Sequence, residues 1–427
     1  MRLALALLAL LMPFALLPAP ALSAEDAQTA RSPDERVDLE RLRRERKEYA
    51  ARFSVGSRIS RYQAAAAKAS DEGRPEEALA LLARLNPKRL NPYERALVHR
   101  LEAYISYAAG DYEAAIEHFQ EALDEKVFPL DVDNKIRFGI AQLYASQQKW
   151  PETIEALGEW FRYADEPTPL AYYLRAIARY QTGDVEHAIA DAERAVDSQA
   201  EPPEGWLQLL AALYIQKEDY ANATPVLEEL VMRFPKKQYW VQLSLIYAAR
   251  DDYRASLAVQ QVAYLQGFLT EDKDLRRLAR SYLYHDLPYE AATVLQKALD
   301  AGQIEEDADF FQLLANSWIA ARNYDRSLEP LRRAADLSDD GDLYVRLAQV
   351  YLQREDWEKA TQYLRLALEK GGLEDPGNAR LLLGIAYYNQ DRVDLARNAF
   401  ARASEYESTR SKAKNWIEHI EKEARAS

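Results

Sequence analysis

Residues 381–403, LLLGIAYYNQDRVDLARNAFARA, form two short apolar stripes at helical spacing, joined by a polar turn. Neither stripe can bury its face alone, so each needs neighbours of the same kind. The small residue of the second stripe, Ala396, recurs upstream at Ala360, Ser327, Ala291, Ser256, Ala223, Ala188, Thr153, Ala115 and Ala78, at intervals of 33 to 38 residues. A chance helical sequence does not hold one phase ten times. In the first stripe a small residue follows leucine or its equivalent at Ala103, Ala141, Ala176, Ala211, Ser244, Ala279, Ala315, Ala348 and Gly384. Three residues later an aromatic follows at Tyr144, Tyr214, Tyr247, Tyr282, Trp318, Tyr351 and Tyr387. Positions three and four apart share a helix face, so these residues make one seam where two helices approach closely. The turns GDYEAA, KEDYANA and REDWEKA place Asp111, Asp219 and Asp356 where a carboxylate can cap a second helix.

The spacing Leu383-Gly384, Tyr387, Ala396, Phe400, Ala403 resembles the tetratricopeptide signature, whose period is about 34 residues. The resemblance covers roughly residues 59–407 and implies an all-α fold: an α-α superhelix, a right-handed solenoid of about ten helical hairpins. It also implies that the first helix of each hairpin lines a concave groove. Carried onto this sequence, the groove positions are Tyr104, Tyr107, Gln142, Tyr173, Tyr180 and Gln208 in the first half. They continue as Lys273, Arg276, Arg280, Tyr284, Gln312, Asn316, Gln349, Tyr388 and Asn389. Amides can pair with a peptide backbone through donor and acceptor together, and tyrosines offer apolar area with a polar tip. The bland alternative is an ordinary wet polar face.

A narrower resemblance lies in residues 234–390. FPKKQYWVQLSLIYAARDDY, LARSYLYHDLPYEAATVLQKAL and ALEKGGLEDPGNARLLLGIAYYNQ are similar to exported proteobacterial tetratricopeptide proteins encoded beside TonB–ExbB–ExbD systems. That similarity implies a periplasmic accessory to TonB-dependent energy transduction, binding a protein or peptide partner. An adaptor in polysaccharide export or outer-membrane assembly is the alternative.

The remaining bounds agree with export. One Arg, an apolar run from Leu3 to Leu17 and then PAPALSA describe a cleavable signal over residues 1–24, with cleavage expected after Ser23 or Ala24. The run is short for a membrane span of about 20 residues and contains Pro13. With no cysteine in the chain, neither a lipoprotein anchor nor a disulfide framework is expected. Residues 25–57 form a densely charged leader, expected as a solvated helix or a disordered segment, or alternatively as a partner-binding one. Residues 58–407 form the repeat array, and residues 408–427 a capping helix whose Trp416, Ile417 and Ile420 share one side. A net charge of −14 argues against a general nucleic-acid or anionic-membrane binder.

No catalytic pattern stands out, and neither enzyme activity, a cofactor nor a metal is expected. The five histidines, His99, His118, His187, His285 and His419, stand far apart, none at ligand spacing to another. The sharpest expectation is a cationic stripe on one helix. Lys273, Arg276, Arg280 and Tyr284 fall within about 60° of one another and would meet an acidic segment or a C-terminal carboxylate. The alternative is that these cations only balance Glu271, Asp272 and Asp274.

Overall fold

The computed structural model describes residues 33–339 and 341–426. The expected signal, residues 1–24, lies outside the described residues, as does the leader up to residue 32. Among the described residues are 22 α-helices and no strand, the all-α repeat fold expected from the period. None of these helices is long and apolar enough to cross a membrane.

The chain divides into two compact units, Met1–Phe234 and Pro235–Ser427. The first holds α1 (Pro33–Ala50) and the hairpins α2/α3 (Ser57–Asp71, Pro75–Leu82), α4/α5 (Pro92–Ala108, Tyr112–Asp124) and α6/α7 (Leu130–Ser146, Trp150–Tyr163). The hairpins α8/α9 (Pro169–Gln181, Val185–Asp197) and α10/α11 (Glu204–Gln216, Tyr220–Arg233) complete it. The second unit begins with α12/α13 (Lys237–Ala249, Tyr253–Leu265), α14/α15 (Asp272–Tyr284, Pro288–Asp300) and α16/α17 (Ala308–Ala320, Tyr324–Leu337). It ends with α18/α19 (Asp342–Gln353, Trp357–Lys370), α20/α21 (Pro376–Tyr388, Val393–Ala403) and the single helix α22 (Arg410–Ala426).

The seam read from the sequence is the core. All ten small residues of the second helices, from Ala78 to Ala396, are buried, and so are the nine of the first helices from Ala103 to Gly384. With almost no side chain at these positions, the two helices of a hairpin pack backbone to backbone, and Tyr214, Tyr282, Trp318 and Tyr387 fill the space beside them. In the first hairpin Ala69 takes the aromatic's place and is buried too. The aspartates cap as their spacing requires: Asp111, Asp184, Asp219, Asp252 and Asp356 each accept from the backbone N–H three residues on. Pro225 and Pro330 lie inside α11 and α17, and both helices continue through them.

Inside every hairpin the turn contains one residue at positive φ, between 57° and 85°. Three of the ten are glycines (Gly73, Gly110, Gly183); the others are Gln148, Glu218, Asp251, Asp286, Arg322, Glu355 and Asp391. First helices of successive hairpins also touch one another directly: α2 with α4, α6 with α8, α8 with α10, and α18 with α20. Second helices make no comparable contact among the described residues, so the first helices form the tighter face within each unit.

Candidate functional site

In the first unit, one first helix already has a further helix packed against it. The charged segment α1 lies against α6, where Arg46 Nη2 sits 3.4 Å from Asp133 Oδ2 and Arg43 pairs with Asp165. Just beyond α1, Phe53 stacks on Tyr93 of α4 with ring centroids 6.3 Å apart. Asp133 is fully buried, and its Oδ1 finds no hydrogen-bond partner among the described residues. Burial pushes its carboxyl up to about 6, against the pull of Arg46 and Arg137.

The expected groove residues of the first unit differ in availability. Tyr104 is 53% exposed, its ring edge-on to Phe119, and Tyr107 is exposed beside Tyr112 at 5.8 Å. Tyr173 stacks on Trp206 of the next hairpin at 5.2 Å, and burial pushes its phenol up. Tyr180, Gln142 and Gln208 are half-buried.

In the second unit the cationic stripe is split. Arg276 is buried, and all three of its guanidinium nitrogens donate within the fold. Its Nε donates to Asp272 at 2.6 Å, Nη1 and Nη2 to the two Asp307 oxygens at 2.9 and 3.1 Å, and Nη2 to the Glu305 carbonyl at 2.9 Å. Asp307 is the N-cap of α16, so Arg276 ties α14 to the start of the next hairpin, and it also lies over Phe310. The expectation of Arg276 as a free anchor is therefore corrected. Pulling the guanidinium out to meet a ligand would break this bidentate pair and leave Asp307 without it.

Lys273 pairs with Glu271 at 3.0 Å. Arg280 and Tyr284, one turn apart, are both exposed, and among the described residues no carboxylate lies within salt-bridge distance of Arg280. Tyr284 is 68% exposed, its ring 5.1 Å from Tyr253. Gln312 is half-buried, Asn316 accepts from Arg346 at 2.7 Å, and Gln349 and Asn389 are exposed. Tyr388 is engaged by α22: its hydroxyl donates to Glu423 at 2.6 Å and its ring lies 5.3 Å from Trp416. His285 is a turn residue, its Nε2 2.9 Å from the Tyr253 carbonyl.

Sequence reasoning missed one constellation. His99 and Glu102 on α4, and His118 and Glu121 on α5, bring two imidazole nitrogens and two carboxylate oxygens within 4.8 Å of one another. The expectation that no two histidines meet is thus corrected. His99 and Glu121 each lie 11 residues from Gly110, and Glu102 and His118 each lie 8 residues from it. An antiparallel hairpin turning at Gly110 therefore brings them face to face. The motif H-x-x-E, written once on each helix, was the available signal.

Residues 133–204 and 345–410 match the family model for the tetratricopeptide repeat. Three solved structures resemble parts of the chain. YrrB, a TPR protein with an unusual peptide-binding site, is 15% identical, covers 45% of this chain and 97% of its own, and has a TM-score of 0.37. A tetratricopeptide repeat protein from Parabacteroides merdae ATCC 43184 is 17% identical over 69% of this chain and 98% of its own, with a TM-score of 0.33. The TPR2AB domain of yeast Sti1, solved as a complex with pHSP90, is 14% identical over 60% of this chain and 98% of its own, with a TM-score of 0.35. No curated protein matches the chain.

Proposed function

We propose that this chain, a tetratricopeptide-repeat protein, is a non-enzymatic scaffold that holds an acidic segment of a protein partner on the first-helix face of its second unit. One observation carries the reading: Arg280 and Tyr284 stand exposed on α14 while Leu278, Ala279 and Tyr282 of the same turns are buried. An uncommitted guanidinium beside a large aromatic offers a carboxylate fork and an apolar surface together. In a chain of net charge −14, such a cation would attract an anionic ligand to this face. The first unit offers a partial precedent, since α1 packs against one of its first helices, α6.

The finer proposal is a periplasmic accessory of a TonB system. It is supported by the signal-like residues 1–24 and by the resemblance carried in residues 234–390. The test is affinity capture from envelope extracts with the wild-type chain and with Arg280→Glu/Tyr284→Ala. A TonB, ExbB or ExbD component recovered by the first and lost by the second is the expected result. Equal recovery by both would remove the site, and recovery of none of the three would remove the TonB assignment.

A further inference from the structure

We infer that the hairpin α4/α5 contains a zinc-type divalent metal site, with His99, Glu102, His118 and Glu121 as its ligands. Four of the six distances among the donor atoms are close to those a bound ion requires, and all six are within 4.8 Å. His99 Nδ1 lies 3.1 Å from Glu102 Oε2 and 3.0 Å from Glu121 Oε2. His118 Nδ1 lies 2.9 Å from Glu121 Oε2 and 3.8 Å from Glu102 Oε2. A tetrahedral zinc with nitrogen and oxygen arms of about 2.0–2.1 Å has ligand–ligand edges of about 3.3–3.4 Å, the middle of that range.

The donor set has the right chemistry. Two neutral imidazoles and two carboxylates carry a charge of −2, which one divalent cation neutralises, and N2O2 suits zinc, cobalt or nickel. The imidazole rings lie nearly parallel, 16° apart with centroids at 6.4 Å, so both Nδ1 atoms face the same pair of carboxylates. The ligands are rigidly placed, each pair at i and i+3 on a helix of the repeat core. His99, Glu102 and His118 are half-buried and Glu121 is 44% exposed, which leaves a path for an ion. The neighbouring Glu125 is held away by the Arg95 fork at 2.6 and 2.8 Å. An ion bound here would clamp α4 to α5.

The competing account of the same geometry is two imidazolium–carboxylate pairs holding protons where the metal would sit. Zinc chloride titrated calorimetrically into the metal-stripped chain separates them. One site per chain is expected, weakened more than about tenfold in His99→Gln/His118→Gln. Cobalt in place of zinc should give the intense visible bands of a tetrahedral site, and zinc should raise the unfolding temperature of the wild type only. Glu102→Gln/Glu121→Gln, which keeps side-chain size and the two histidines, should lose the site too and serves if the histidine variant unfolds. Absence of zinc heat, or zinc binding retained in both variants, would overturn the assignment. Retention would place the ion elsewhere, for example at His187 with Asp184.

Discussion

Gly384 lies against the ring of Phe400 so closely that a Cβ built on it would stand 2.5 Å from Cε1 and 2.6 Å from Cδ1. Phe400 has nowhere to go: it is fully buried and stacked on Trp416 of α22, centroids 5.4 Å apart and planes 6° apart. Gly384→Ala should therefore destabilise this hairpin by about 1–3 kcal/mol through overpacking, although alanine is the better helix former by about 1 kcal/mol. Because hairpins touch only their neighbours, the loss of hydrogen-exchange protection should be confined to α20, α21, α22 and the adjoining hairpin α18/α19. Equal loss in α12 to α17 would contradict nearest-neighbour stacking.

The hairpin turns give a second test, because seven of them hold a non-glycine residue in the left-handed region. That conformation costs about 1–2 kcal/mol for a residue with a Cβ, partly offset by the greater freedom glycine has when unfolded. Glu218→Gly and Arg322→Gly should each raise stability by up to about 1 kcal/mol. Gly183→Ala, at φ 85°, should lower it by a similar amount. Denaturant midpoints measure both, and a stabilising Gly183→Ala would contradict the assigned turn.

Asp133 makes the first unit sensitive to pH. Its carboxyl titrates near 6 in the fold and near 4 when unfolded, so the folded state binds the proton more tightly. The stabilisation is complete below about pH 4 and is lost as pH rises through about 6. Between those limits the first unit should lose on the order of 1–3 kcal/mol, measurable by urea unfolding at a series of pH values. In Asp133→Asn this contribution to the slope should vanish. A slope unchanged by the substitution would show that another group carries it.

Most of the fold was legible because the period is set by packing that leaves few residue choices. Ala396 and its nine counterparts must be small for two backbones to meet, and Asp111 or Asp219 must carry a short acceptor to cap a helix. The site was legible only in part. Periodicity says which face a residue occupies but not what the next hairpin brings to it. Arg276 occupies the expected register yet is claimed by Asp307, 31 residues away, whose role as the cap of α16 left its second oxygen free to accept. Tyr388 is likewise claimed by Glu423 of the last helix. The His99–Glu121 and Glu102–His118 pairs depend on the antiparallel register across Gly110, which a search along one strand of sequence does not test. The non-glycine turn residues were invisible for the opposite reason, since the surrounding helices impose a conformation that local sequence does not favour.

The direct measurement of partner binding on the first-helix face is site-specific photo-cross-linking in intact cells. A photo-reactive phenylalanine analogue would replace the exposed Lys273, two turns before Arg280 on α14, in one variant and the exposed Glu290 on α15 of the same hairpin in another. A partner held beside Arg280 and Tyr284 gives a discrete cross-linked species from position 273 and none from position 290. A species from position 290 alone, or the same species from both, would mean that the partner is not held on the first-helix face.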